Sequence, residues 1–372
     1  MIEFLNKYII KRNEQVRQKA ALVAFYGPLY STEDNGWRKI MNLSKIGGII
    51  AVANNQVARP LLQVGAIPII RRIVITYQQV GVFPIVVVVG GDDDELKREL
   101  SALGVIFLKH EKNETPELMD SVREGLEYLK GKCSRVVFTP VNVPMFTPDT
   151  LQRLLDAEGE IVAPSCQGKG GHPIVISDEV IPQIMAYSGE NGLRGAMEDL
   201  PRTWVDVEDK GILTNVHNQE ELNQQLEGHN FSILHPALHM KLEQEEPFFS
   251  ARLKLLLYLI EDTNNIRIAC TRSGVSHSKA WDMINRLERS LGYSVVERQR
   301  GGKAGGSTRL TPQGADFLAA YQEFEQAVHQ FTQKEFKKRF IFTKIIEWFL
   351  RVPQMGNSQF FSLGFIIRLV RL

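Results

Sequence analysis

The run Pro84 to Val89, PIVVVV, closed by Gly90-Gly91, limits what this chain can fold into more than any other stretch. A continuous β-branched run leaves no polar face for water, so it predicts a strand covered on both sides. Ile49 to Ala53, Val105 to Leu108 and Val136 to Thr139 are shorter runs of the same kind. Helical patterns separate them. From Pro68 to Val80, residues Ile69, Ile70, Ile73, Val74 and Tyr77 share one face. Asp92 to Ala102 carries acids in its first turn, where the helix dipole favours them, and Glu117 to Lys130 is a further helix. This alternation predicts right-handed βαβ units, hence an α/β fold with a doubly wound, mostly parallel sheet. More strands are expected at Ile161 to Ala163 and Pro173 to Ile176, either side of a glycine-rich turn at 168–171. Val205 to Val207 and Gly211 to Val216 close this domain, and a helix follows from Gln219 to His229. Ligands bind such sheets outside the carboxyl ends of the strands, so the loops after Ala53, Gly90 and Pro140 should line one crevice.

The pattern changes at Pro247. Phe248 to Ile260 predicts an apolar helix, Asn264 to Arg272 a short one, Ser273-Gly274 a turn, and Ser276 to Leu291 a third helix. Short strands at Val295 to Arg298 and Thr308 to Leu310 flank the glycine-rich loop QRGGKAGGS, and Pro312 opens a long last helix. Helix, turn, helix and a glycine-rich ribbon predict an α+β winged helix-turn-helix domain. Charge supports it. The whole chain has a net charge of only +1, yet residues 248–340 hold 15 Lys and Arg against 9 Asp and Glu. We therefore divide the chain into a leader (1–45), an α/β domain (46–228), a linker (229–247), a winged-helix domain with its dimerisation helix (248–340) and an apolar, basic tail (341–372).

The opening MIEFLNKYIIKRNEQVRQKA does not read as a signal peptide, because its charges follow a short apolar stretch. No uninterrupted apolar run reaches the ~20 residues that span a bilayer. Cys133, Cys166 and Cys270 lie far apart, as expected of core thiols in a reducing cytoplasm.

Several stretches in order, GGIIAVANNQVARPLLQVGAIPIIRRIV (47–74), PIVVVVGG (84–91), FTPVNVPMFTPDTLQRLL (138–155), GKGGHPIVIS (168–177), NGLRGAM (191–197) and VDVEDKGIL (205–213), resemble the molybdopterin-cofactor nucleotidyltransferases, the MobA-like and MocA-like proteins. The resemblance spans roughly 46–226. It implies that the loop after the first strand cradles a triphosphate and that two aspartates hold Mg²⁺. Here that loop is ANNQVARPLL, with no glycine and with Arg59 as its only cation; Asn54 and Asn55 can take glycine's left-handed turns. The family's first metal aspartate falls at Asn142 and its second at His217. Mg²⁺ prefers carboxylate oxygens, so this pair predicts lost or altered transferase chemistry. The alternative is that Asp206, Asp209 or the Asp92–Asp94 run recruits a metal. The resemblance assigns ligand contacts to Ala53, Asn54, Asn55, Arg59, Gly90, Gly91, Pro140, Lys169, Gly171, His172, Pro173, Gly192 and Arg194.

The stretch SHSKAWDMINRLERSLGYSVVERQRGGKAGGSTRLTPQG (276–314) resembles the DNA-binding domain of ModE-type regulators, relatives of the LysR-type winged helices. It implies DNA contacts from Ser276, His277, Ser278 and Lys279 on the recognition helix, and from Arg298, Arg300, Lys303 and Arg309 on the wing. Phe317, Leu318, Tyr321, Phe324, Ala327, Val328 and Phe331 form a seam expected to pair two protomers.

Together these readings predict a cytoplasmic, homodimeric regulator that binds double-stranded DNA. Its nucleotidyltransferase-like domain would bind a nucleotide or pterin-type ligand, with a link to molybdenum metabolism. The alternatives are an active nucleotidyltransferase, moving CMP or GMP to a molybdopterin-like acceptor with an accessory DNA-binding domain, and a scaffold that uses neither site.

Overall fold

The computed structural model describes residues 46–52, 59–90, 94–110, 117–217, 219–299 and 307–341. The leader, Ala53, Asn54, Asn55, Gly91, Asp92, Asp93, Arg300, Lys303 and the tail beyond 341 lie outside the described residues.

The strand β1 (Ile46–Val52) sits mid-sheet, parallel to β4 (Ile85–Val89) on one side and to β6 (Arg135–Pro140) on the other. Every residue of β4 is buried, as its unbroken β-branched run requires. A small hairpin, β2 (Gln63–Val64) and β3 (Ile67–Pro68), precedes helix α1 (Ile69–Gln79), whose buried side includes all five residues of the expected face. Helix α2 (Asp94–Leu100), strand β5 (Ile106–Lys109) and helix α3 (Leu118–Leu129) complete the βαβ series into β6. Helix α4 (Pro148–Asp156) starts at Thr147, whose hydroxyl accepts from the Thr150 amide, with Pro148 in the first turn.

Beyond α4 the sheet stops being parallel. β7 (Ile161–Cys166) and β8 (Lys169–Gly170) form a hairpin, and β9 (Ile174–Ser177) runs antiparallel to both β6 and β7. Short helices α5 (Ile181–Ala186) and α6 (Gly192–Ala196) lead to β10 (Arg202–Asp206), parallel to β7 at the edge. The order is β10-β7-β9-β6-β1-β4-β5, with β8 paired to β7, a mixed sheet of eight strands. The helix expected to end at His229 continues, as α7 (Gln219–Ser232), because His229 is buried against the domain.

The C-terminal part begins with a hairpin of β11 (Lys241–Glu243), inside the stretch read as linker, and β12 (Pro247–Ser250), which starts at that stretch's last residue. Phe248 and Phe249 therefore belong to a strand and not to the apolar helix expected there. Phe249 is buried edge-on against Phe317 and Tyr321, at ring separations of 4.9 and 4.6 Å. The helices follow as α8 (Ala251–Thr263), α9 (Ile266–Ser273) and α10 (His277–Leu291). Asn265 caps α9 and Ser276 caps α10 through their side-chain oxygens, and Gly274 takes the left-handed turn between them at φ +66°. β13 (Val296–Gln299) and β14 (Ser307–Leu310) form an antiparallel ribbon, and α11 (Pro312–Phe336) closes the described chain. Among the described residues, no helix is long and apolar enough to cross a membrane. Cys133, Cys166 and Cys270 are buried, and none is in a disulfide.

Candidate functional site

Strands β1, β4, β6, β7 and β10 run in one direction, so their carboxyl ends share one edge of the sheet. Gly90 ends β4 and Pro140 ends β6. Asn142 follows, and its carbonyl accepts from the Val216 amide at 3.0 Å, which sets His217 beside it. The two positions where the resemblance expects metal aspartates are thus brought near each other, 75 residues apart in sequence. Asn142 keeps a buried side-chain oxygen with no hydrogen-bond partner, while His217 is exposed. A neutral amide and a solvated imidazole do not fit Mg²⁺. Asp209 is no substitute: its carboxylate accepts from the Thr147 amide (2.8 Å), the Thr150 hydroxyl (2.7 Å) and the Gly211 amide (2.8 Å). Asp206 is exposed at the end of the edge strand, and it lines an open cavity of about 500 Å³ with Asp149, Arg153, Glu208 and Asp209. Among the described residues, no group of three His, Cys, Asp or Glu is placed to hold a metal.

Because β9 runs antiparallel to β6, its start lies at the same edge. There the His172 ring packs edge-on against Phe138 at 5.6 Å, and burial pushes its pKa down to about 4. A neutral ring at ordinary pH is a packing or hydrogen-bonding group, not a cation for a phosphate. Gly171 is dictated by sterics, since a Cβ there would collide with the Ile212 carbonyl. Lys169, on the β7–β8 hairpin, and Arg194, on α6, are both exposed. Gly192, at φ +52°, faces Met119 in the first turn of α3. Arg59 takes φ +38° and its carbonyl accepts from the Leu62 amide at 2.8 Å.

On the C-terminal part, Ser276, His277, Ser278 and Lys279 are all exposed at the start of α10. Arg298 on the ribbon lies 3.8 Å from the Trp281 ring centroid and donates to the Asn285 side chain at 3.1 Å. The Trp281 indole in turn donates to His277 Nε2 at 3.2 Å. His277, Trp281 and Asn285 recur every four residues along α10, so ribbon and helix present one continuous polar and aromatic surface. Arg309 projects from β14 and is also exposed.

Two buried polar groupings escaped the sequence reading. Arg72 is fully buried with His229, and a cluster around Asp262 joins the two parts of the chain. Their partners are remote in sequence, so no local pattern marks them.

The described residues thus form a mixed, mostly parallel α/β unit followed by a helical unit with an antiparallel ribbon. Residues 55–204 match the family model described as MobA-like NTP transferase domain. Over the C-terminal region the chain is similar to regulators. It is 37% identical over 87 residues to the molybdenum-pterin-binding protein MopB of Rhodobacter capsulatus, covering 23% of this chain and 32% of that protein. It is 31% identical over 84 residues to the molybdenum transport protein ModE of Herbaspirillum seropedicae, covering 23% and 31%. It is 33% identical over 89 residues to the DNA-binding transcriptional dual regulator ModE of Escherichia coli K12, covering 24% and 34%. The chain thus spans about a third of the length of the curated relatives it matches. Among solved structures, Rv0371c of Mycobacterium tuberculosis H37Rv aligns at TM-score 0.43 and 19% identity over 50% of this chain and 98% of its own. A nucleotidyl transferase of Methanothermobacter thermautotroptrophicus aligns at TM-score 0.43 and 18% identity over 50% and 98%.

Proposed function

We propose that this chain is a cytoplasmic transcription regulator that binds double-stranded DNA as a homodimer. Its MobA-like domain holds a nucleotide or pterin-type ligand without transferring it, in a molybdenum-linked setting. The observation that carries the reading is the joining of α10 to the β13–β14 ribbon through Arg298, Trp281 and Asn285. We read this unit as a winged helix-turn-helix. The first turn of a recognition helix reaches base edges in the major groove, and Ser276, His277, Ser278 and Lys279 stand exposed there. Arg298 and Arg309, beside a loop carrying Arg300 and Lys303, supply cations for phosphates.

Transfer chemistry is unsupported at the opposite site. Phosphoryl transfer relies on backbone donors and fixed cations or metal ions around the transferring group. Here Asn142 and His217 stand where the resemblance expects the metal carboxylates. For the homodimer, α11 leaves Phe324 and Phe331 more than half exposed, at 53% and 66%, with Val328 between them.

Selection of duplexes from a random-sequence pool by the full-length protein tests the DNA reading. Enrichment of a shared, two-fold related sequence is expected, and no enrichment would sink it. Isothermal calorimetry with CTP and GTP tests the ligand, and binding indifferent to Mg²⁺ is the expected outcome. Pyrophosphate release with any of the four NTPs and Mg²⁺ would replace this reading with the active transferase.

A further inference from the structure

The two parts of this chain are not strung on a free tether. The covalent link at 234–240 has no helix or strand and so imposes no orientation by itself. The contact between the parts does. Asp262, on α8, takes Lys132 at 2.8 Å and Arg272 at 3.6 Å, and its side chain is only 14% exposed. Lys132 follows α3 in the α/β unit, whereas Arg272 is on α9. Both cations also sit over one ring, that of Tyr128 on α3, at 3.6 and 4.9 Å from its centroid. Around this centre, Phe83 meets Tyr258 edge-on at 5.4 Å, and Arg252 donates to the Ser101 carbonyl at 3.4 Å. The turn at Gly274, between α9 and α10, lies against Lys97 and Phe107 of the α/β unit. Beneath the ionic cluster, one buried apolar cluster runs from Val88, Ile106 and Leu126 into Leu256, Leu259 and Leu287.

We propose that the α/β unit serves as the docking partner of α8 and α9, and that this junction, centred on Asp262, is required for DNA binding because it fixes the orientation of α10. The proposal rests on the DNA-binding reading above. It gives the MobA-like domain a role that its lost carboxylates do not touch. A single carboxylate balances two cations sharing one aromatic ring. Without it, two partly exposed positive charges share one ring with no carboxylate between them, which weakens the contact. The turn that positions α10 would then lose its support from Lys97 and Phe107. Meanwhile the exposed side chains of the first turn of α10, and Arg298 and Arg309 on the ribbon, take no part in the Asp262 cluster and would keep their own chemistry.

Asp262→Asn in the full-length chain is the test, read by amide hydrogen exchange and by anisotropy of a labelled duplex selected by the wild-type protein. Amides of α9 and of the end of α3 should exchange at least about tenfold faster while β1 and β4 stay protected, and duplex affinity should fall about tenfold. Replacing both cations as well, in Asp262→Asn/Lys132→Met/Arg272→Met, should recover much of both. If Asp262→Asn also strips β1 and β4 of protection, Lys132→Met alone replaces it, with a smaller shift in the same sense. Unchanged protection in α9 overturns the docking claim. Lost protection with unchanged affinity overturns the requirement for DNA binding. A wild-type chain that selects no duplex sinks the DNA-binding reading, and with it the functional half of this proposal, while the exchange comparison still decides whether the junction holds.

Discussion

At His229 the chain sets a neutral imidazole against a buried guanidinium. Arg72 donates to Val64 O and, from Nη1, to Asn230 at 2.8 Å and to His229 Nδ1 at 3.1 Å. Nδ1 must accept, so the ring proton lies on Nε2 and is given to Phe146 O at 3.3 Å. Burial, then the Arg72 charge, lower the His229 pKa from its usual 6.5 to about 4. The unfolded chain takes up this proton near pH 6.5 and the folded chain resists it. The stabilisation is therefore complete above pH 6.5 and lost as pH falls through 4, by roughly 3 kcal/mol at pH 4 for a full shift of this size. His172 adds a second group with the same sense. Thermal unfolding measured from pH 7 to pH 4 should show the midpoint dropping steeply below pH 6.5. His229→Gln, which keeps an acceptor and a donor but cannot titrate, should flatten that slope, and an unchanged slope would refute the assignment. Nothing in IIRRIVITY marks Arg72 for the core, because Asn230 and His229 arrive from far along the chain.

At the scale of elements, the proposed DNA and dimer contacts fall on α10 and α11. Ser276 and Arg298 do different jobs on the same surface. The Ser276 hydroxyl accepts from the Lys279 amide and caps α10, so Ser276→Ala should cost about 1 kcal/mol of stability in denaturant unfolding. Arg298 is exposed, and Arg298→Ala should leave stability nearly unchanged. If it meets a phosphate, the same change should weaken duplex binding and lower the slope of log K against log salt by about 1. An unaltered salt slope would mean that Arg298 only props the ribbon on Trp281. On α11 the sequence showed one apolar seam, but the structure divides it. Leu318 and Tyr321 are buried within the chain, and Phe317 packs on Phe249, whereas Phe324 and Phe331 remain outward. Phe324→Glu/Phe331→Glu should therefore convert a dimer to a monomer in light scattering without loss of helix content. An unchanged mass would move the dimer interface elsewhere. Period and capping residues made these helices legible. The β11–β12 hairpin was not, because Phe248 and Phe249 read as the start of an apolar helix until Pro247 and the extended Ser250 are seen to set a strand.

At the scale of the whole molecule, transfer chemistry is a matter of assembly from separate segments: the loop after β1, the end of β6 and the turn at 215–217. The sheet was readable from β-branched runs, and β9 as a strand at Pro173 to Ile176, but its antiparallel direction was not, since so short a run carries no sign of strand direction. The carboxyl edge was readable for the same reason, and the Val216 amide bonded to the Asn142 carbonyl brings Asn142 and His217 near each other there. The Asp262 junction was invisible, because it arises between units that sequence periodicity treats separately. These facts separate two losses that a single activity assay would merge. Asn142→Asp/His217→Asp restores two carboxylates at one edge, and hard-cation binding should follow, because Mg²⁺ and Mn²⁺ take carboxylate oxygens. Titration with Mn²⁺ by calorimetry should detect a site in the double variant that the wild type lacks. Pyrophosphate release should nonetheless stay absent, because ANNQVARPLL still offers no glycine through which backbone amides approach a triphosphate closely. Turnover in the double variant would show that the metal pair alone had been missing and that the loop needs no glycine. Absence of Mn²⁺ binding would show that the edge no longer holds the two positions close enough to share an ion.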